Sequence, residues 1–183
     1  MKTIITAPEG FRYQVESTDQ VVRYHDISCG HRVAGHESKC SHLHGHNYRI
    51  HFHVQPAHLQ QPPDGTYSRG LDNLGRVIDF SVVKSELCMW LEDNWDHKLL
   101  LWEEDPMLQV LLKTGVKEVV DSIVVVDFNP TAENMANHLI KLGNEKLYDK
   151  GLVVQQVVVE ETRKCSVIST MVFTSDETYT RIA

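Results

Sequence analysis

The stretch His31-Arg-Val-Ala-Gly-His36-Glu-Ser-Lys-Cys40-Ser-His42-Leu-His44-Gly-His46-Asn-Tyr48-Arg-Ile50-His51-Phe52-His53-Val54 decides both the fold and the chemistry to look for. From Tyr48 onward a large apolar residue takes every second place, the period of a strand with one buried face. Carried backward, that period puts His44 and His46 on the same inward face. His51 and His53 fall on the opposite face with Asn47 and Arg49, and read as solvent or subunit-contact residues. Five of the eleven histidines lie within the sixteen residues from His31 to His46, a density that chance explains poorly. If the segment ending at His31 pairs alongside, three neutral imidazoles converge and leave zinc's fourth tetrahedral position open, as in a catalytic site. The competing reading is a hydrogen-bonded histidine cluster without metal, since a His-x-His pair alone is a weak motif.

Outward from this stretch, alternation predicts further strands at Phe11/Tyr13/Val15, at Val21/Arg23/His25/Ile27, from Val153 to Glu161 and from Val167 to Phe173. Together they read as an antiparallel sheet. Helical spacing runs from Phe80 to Leu91 behind Asp79 as a cap, and from Ala132 to Tyr148 behind Pro130-Thr131. Each helix is suited to cover a sheet face, which makes the class α+β. Residues Gln55 to Leu74, rich in proline, glycine and aspartate, break both periods and read as a long hairpin connection. Trp102 to Asp127 shows helical spacing near Met107 to Lys113 and an apolar run, Ile123 to Val126, whose role pattern alone does not give.

The 183 residues fit one domain, 1–183, with room for a core that needs no disulfide staple. The composition, 42% hydrophobic and 23% charged, is that of an ordinary soluble protein. The N-terminus lacks a long apolar core and no later segment approaches a membrane span, so neither secretion nor a membrane partner is expected. Four scattered cysteines form neither CxxC pairs nor a disulfide framework, which fits free thiols in a cytoplasmic protein. A formal charge of −7 argues against a nucleic-acid partner, which would require basic groups on phosphates.

Several residues outside the histidine cluster carry chemistry. Cys40, four residues before His44, is a candidate base or nucleophile beside a cation that would favour its thiolate; an inert buried thiol is the alternative. Asp96-His97 offers a carboxylate beside an imidazole, a pair that can tune proton transfer. Glu161 shares its strand face with Val157 and Val159 and therefore needs a partner, either an arginine or a two-donor ligand edge, while Glu160 faces away. Cys88 and Cys165 read as packing or incidental residues.

Taken in order, Cys-Gly-His31-Arg, Cys40-x3-His44-Gly-His46-Asn-Tyr48, Val77-Ile-Asp79-Phe80, Asp96-His97, Pro130-Thr-Ala-Glu-Asn134 and Glu161-Thr162 resemble the 6-pyruvoyl and 6-carboxytetrahydropterin synthase family. The resemblance implies a tunnelling fold: an antiparallel four-stranded sheet with two helices packed on one side, assembled as a homohexamer, a dimer of trimers with active sites between subunits. It implies Zn2+ on His31, His44 and His46, catalysis by Cys40 with Asp96 and His97 from a neighbouring chain, and Glu161 as the pterin anchor. Glu133 matches a family position too, but a carboxylate suits a helix start whatever the function. The short interval from Cys40 to His44 looks like the carboxytetrahydropterin branch. The implied activity is that of a lyase converting 7,8-dihydroneopterin triphosphate to 6-carboxytetrahydropterin, acetaldehyde and triphosphate, a step toward queuosine and other 7-deazaguanines. Arg32, Lys39, Arg163 and Lys164 are candidates for a basic entrance to meet the triphosphate.

Three rivals stand beside this reading. A pyruvoyl-forming synthase would use the same site and release no acetaldehyde. An unrelated three-histidine zinc hydrolase or hydratase would need neither Cys40 nor Glu161. A binding module without chemistry would have no use for the intact set of Cys40, Asp96 and His97.

Overall fold

A computed structural model describes residues 2–6, 12–16, 19–57 and 71–171. Among the described residues, the first two strands, β1 (Lys2–Thr6) and β2 (Arg12–Glu16), pair only with each other. Strand β3 (Val21–His31) runs antiparallel to β4 (His44–Pro56), in register from Val21 opposite Val54 to His31 opposite His44. The sequence period is realised on β4: Tyr48, Ile50, Phe52 and Val54 are all buried. On the other face His51 bonds Glu160 at 2.7 Å, and Arg49 grips Asp26 through two hydrogen bonds.

Helical cover comes from two places. Thr131 caps α5 (Ala132–Leu147) by accepting from the Asn134 N–H, and the helix buries Met135, Ala136, Leu139 and Leu147. Asp79 caps the other helical run, as its position predicts, by accepting from the Ser81 N–H. That run is not one uniform helix. It consists of α1 (Phe80–Val83), a π-helical turn (Lys84–Cys88) and α2 (Met89–Asn94). A π turn takes more residues per revolution, so Val83, Leu87 and Leu91, spaced four apart, all stay buried against the sheet.

The α+β class holds, but the sheet is wider than the four strands expected. Its order is β6-β5-β3-β4-β7-β8, with β5 (Leu99–Trp102), β6 (Ile123–Val126), β7 (Leu152–Thr162) and β8 (Cys165–Thr170). The antiparallel four are β3, β4, β7 and β8; β5 and β6 extend the sheet in parallel from the end of β3. Each added strand is only four residues long, and in β5 the consecutive Leu100 and Leu101 are both fully buried. A strand buried on both faces shows no alternation, so a period-2 reading passes over it. Between β5 and β6 lie two short helices, α3 (Pro106–Leu112), where helical spacing was expected, and α4 (Lys117–Ser122). Phe11, Phe173 and most of the proline-rich hairpin fall outside the described residues. Among those described, no helix is long and apolar enough to cross a membrane.

One contact sets how closely helix and sheet approach. A Cβ built on Gly143 of α5 would lie 2.6 Å from Val154 Cγ2. Gly143→Ala is therefore expected to destabilise the protein by about 1–3 kcal/mol through overpacking, although alanine is the better helix former by about 1 kcal/mol. Urea unfolding measures the difference, and a more stable variant would show that α5 can lift without loss.

Candidate active site

The β3–β4 register explains why three histidines meet. His31 stands directly opposite His44, and His46 lies opposite Cys29, so all three side chains leave the same face at the same end of the sheet. Their ring centroids are 4.5, 5.3 and 5.0 Å apart, and their ligand nitrogens all lie within 4.8 Å of one another. His31 Nδ1 donates to the Pro130 carbonyl at 2.7 Å, and His44 Nδ1 donates to the His42 carbonyl at 2.8 Å. Each bond selects the tautomer whose Nε2 carries a lone pair, the usual outer support of a metal-bound imidazole. Burial pushes the His31 pKa below the ordinary imidazole range, which keeps the ring neutral. Its Nε2 is buried and has no hydrogen-bond partner among the described residues. An orphaned acceptor facing two more imidazoles fits a divalent metal of the zinc type.

Glu161 joins the cluster from β7. Its Oε1 lies 3.6 Å from His31 Nε2 and 3.7 Å from His46 Nε2, and the Tyr48 hydroxyl donates to it at 3.4 Å. Tyr48 itself is fully buried. Burial first, then the Glu161 charge, raises its pKa well above the phenol range and keeps the proton on the hydroxyl. Glu160 points to the opposite face, as the strand period predicts.

Cys40 sits in a short 3-10 turn (Lys39–Ser41) whose carbonyl accepts from the Val33 N–H. It is half-buried and borders a cavity of about 450 Å³ with His31, Glu133 and Glu161. Glu133 occupies the first turn of α5, as the helix dipole favours, yet also lines this cavity. Cys165 borders it as well, a position that a turn between late strands did not reveal. By contrast, Cys88 is fully buried and the Cys29 thiol is pushed up to about 12 by burial; both are inert packing groups.

Asp96 and His97 form a rigid pair. Asp96 Oδ1 accepts from the Ser28 N–H at 2.8 Å, and its Oδ2 receives His97 Nδ1–H at 2.7 Å. Burial opposes ionisation of Asp96, but the hydrogen bonds from Ser28 and His97 prevail and hold its carboxyl below the usual range. His97 has a φ of 56°, the left-handed region that non-glycine residues adopt at a cost, and its backbone N–H holds the Ser28 carbonyl. The side chain is 82% exposed, and with Nδ1 bonded to Asp96 its Nε2 is the nitrogen left for other partners. His97 and Cys40 border different cavities of the chain; that of His97, about 670 Å³, is also lined by His46, Glu161 and Arg163.

Against known families, the model described as 6-pyruvoyl tetrahydropterin synthase matches residues 20–171. The chain belongs to this family. Among curated tetrahydropterin synthases, the 6-carboxy-5,6,7,8-tetrahydropterin synthase of Rickettsia typhi is 34% identical over 145 residues, 78% of this chain and 93% of that one. A probable 6-carboxy-5,6,7,8-tetrahydropterin synthase of Halobacterium salinarum is 31% identical over 134 residues, 73% of this chain and 75% of its own length. Two solved structures share the fold. An uncharacterized protein of Wolinella succinogenes superposes with a TM-score of 0.70 at 24% identity, covering 83% of this chain and 97% of its own. The 6-pyruvoyl tetrahydropterin synthase of Plasmodium falciparum gives 0.59 at 18%, covering 86% and 100%.

Within this tetrahydropterin synthase chain, one candidate for the basic entrance is already engaged. Arg32 Nε lies 3.1 Å from Asp105 Oδ2, a carboxylate that is fully buried and whose Oδ1 caps α3. A guanidinium held by a buried partner is not a free counter-charge for phosphate. Arg163 remains exposed at the His97 cavity, while Lys39 and Lys164 are exposed on their turns. Asp105 and the Pro130 carbonyl escaped the sequence reading. Asp105 lies in a segment without readable period, and a backbone carbonyl carries no side-chain signature.

Proposed function

We propose that the protein is a zinc-dependent 6-carboxy-5,6,7,8-tetrahydropterin synthase, a lyase acting on 7,8-dihydroneopterin triphosphate. The observation that carries the reading is the convergence of His31, His44 and His46, two of them with Nδ1 tied to a backbone carbonyl, in a chain whose relatives bear that name. Zinc, when bound there, supplies Lewis acidity toward the substrate's side-chain oxygens. Cys40 accepts and returns a proton at its sulfur. Asp96 holds His97 in the tautomer whose Nε2 relays that proton. Glu161 receives the pterin's amino and ring N–H edge through two carboxylate oxygens. The family resemblance implies that the working site draws Cys40 from one copy and Asp96-His97 from another, in a homohexamer of stacked trimers; within one chain the two border different cavities. Arg163 at the mouth offers positive charge to the triphosphate.

The test is to incubate metal-loaded protein with dihydroneopterin triphosphate and analyse products by mass, with acetaldehyde assayed in parallel. Carboxytetrahydropterin with equimolar acetaldehyde supports the proposal. A pyruvoyl product without acetaldehyde moves the chain to the other branch, which the short Cys40 to His44 interval disfavours. No conversion by fully metallated protein sinks both.

A further inference from the structure

Cys40 reaches its cavity on a stretch that has no ladder of its own. Strand β3 stops at His31, and the chain forms neither strand nor helix again until the turn at Lys39–Ser41. A proton-transfer group has to be held within hydrogen-bond reach of its target, so the loop needs a hold from outside. Asn129 supplies one. Its Oδ1 accepts from the Ala34 N–H at 2.9 Å, and its Nδ2 donates to the Ala34 carbonyl at 2.8 Å. A carboxylate of the same size would lose the donor and turn a second oxygen toward that carbonyl.

This clamp is anchored at both ends. Beside Ala34, the Val33 N–H donates to the Cys40 carbonyl at 2.8 Å, which carries the hold to the cysteine itself. On the other side, the Asn129 carbonyl accepts from the Thr131 N–H at 2.8 Å and from Asn134 Nδ2 at 2.9 Å, so Asn129 is fixed to the start of α5. The next residue, Pro130, is the one whose carbonyl holds His31 Nδ1 at 2.7 Å. Two consecutive residues therefore grip the ring of a metal-ligand candidate and the loop of the cysteine. We propose that Asn129 is a positioning residue, fixing where Cys40 stands relative to the metal that His31, His44 and His46 would hold. The inference deepens the synthase reading and rests on it for the chemistry.

The test uses Asn129→Ala and Asn129→Asp in the full-length chain, loaded with zinc and checked for folding by circular dichroism. Cys40 is alkylated with iodoacetamide and followed by peptide mass, with the exposed Cys165 as internal reference. Both variants should label Cys40 at least about threefold faster relative to Cys165, because the loop opens more readily. Zinc affinity should stay within about threefold, well short of the roughly 10–100-fold loss that breaking the His31 support would bring. Turnover should fall in kcat by about 10–100-fold with KM little changed, the cost of misplacing a catalytic group by on the order of 1 Å. In a Cys40→Ala background, Asn129→Ala should lower kcat by less than about twofold further, since the two act as one unit. If the alanine variant does not fold, the aspartate variant, which keeps the size and the accepting oxygen, decides alone. Unchanged labelling, unchanged kcat, a zinc loss beyond about tenfold, or a full further loss in the Cys40→Ala background each overturns the proposal. A metal-loaded wild type that converts no substrate sinks the synthase reading instead, while the labelling ratio still decides whether Asn129 holds Cys40.

Discussion

His44→Ala is expected to abolish stable metal binding and turnover together. His44 contributes one of three convergent nitrogens from the first residue of β4, and its ring is only half-buried. Its loss leaves the apolar stripe from Tyr48 to Val54 untouched, so the fold survives. Removing a direct ligand exceeds the 10–100-fold cost typical of outer-sphere supports, so metal affinity should fall by at least about a hundredfold. Lewis-acid stabilisation is worth several kcal/mol, and each 1.36 kcal/mol is tenfold in rate, which puts the loss in kcat/KM at about a thousandfold or more. Metal content after dialysis against a weak chelator, measured beside turnover, separates the outcomes. A variant that keeps stoichiometric metal at wild-type affinity places the metal elsewhere, and one that turns over without metal removes it from the chemistry.

Cys40→Ala should give the complementary result, with metal retained within about twofold and kcat reduced by about 10²–10⁴, the usual worth of a positioned proton-transfer group. Cys40 borders the cavity of His31 and Glu161 from a turn outside the strands, and no ligand nitrogen depends on it. Mixing unfolded Cys40→Ala and His97→Ala chains and refolding them together adds a sharper readout. If the proton relay spans two copies, random assembly rebuilds about a quarter of the sites with both groups intact, and activity returns. Full activity of Cys40→Ala alone refutes its role; a mixture as inactive as its parents places both groups in one chain.

Some of this site was legible in the chain and some was not, for physical reasons. Strand alternation carried back from Val54 was enough to put His44 and His46 on one face, because a side-chain period of two admits no third choice. His31 was reachable as a candidate through its spacing, and antiparallel pairing with His44 made it a neighbour. The bond that fixes its tautomer was out of reach: Pro130 lies 99 residues away and contributes a main-chain oxygen. Strand β5 went unread because both of its central leucines are buried. The π turn went unread because a spacing of four residues is shared by any helical stripe. Tyr48 was legible as core, but its hydroxyl's aim at Glu161 depends on a bulge in β7 that residue types do not announce.

The bond between His31 and the Pro130 carbonyl joins catalysis to supply. Pro130 immediately precedes the cap of α5, whose apolar face covers the sheet, so the ring that would grip the metal also anchors the main covering helix. A metal that binds the folded chain and not the unfolded one stabilises it by about 2.7 kcal/mol when its free concentration is a hundred times the dissociation constant. That is a large share of the roughly 5–15 kcal/mol separating most native proteins from their unfolded chains. A cell starved of the metal would then lose the enzyme to proteolysis as well as its rate, and would stop maintaining a catalyst it could not use.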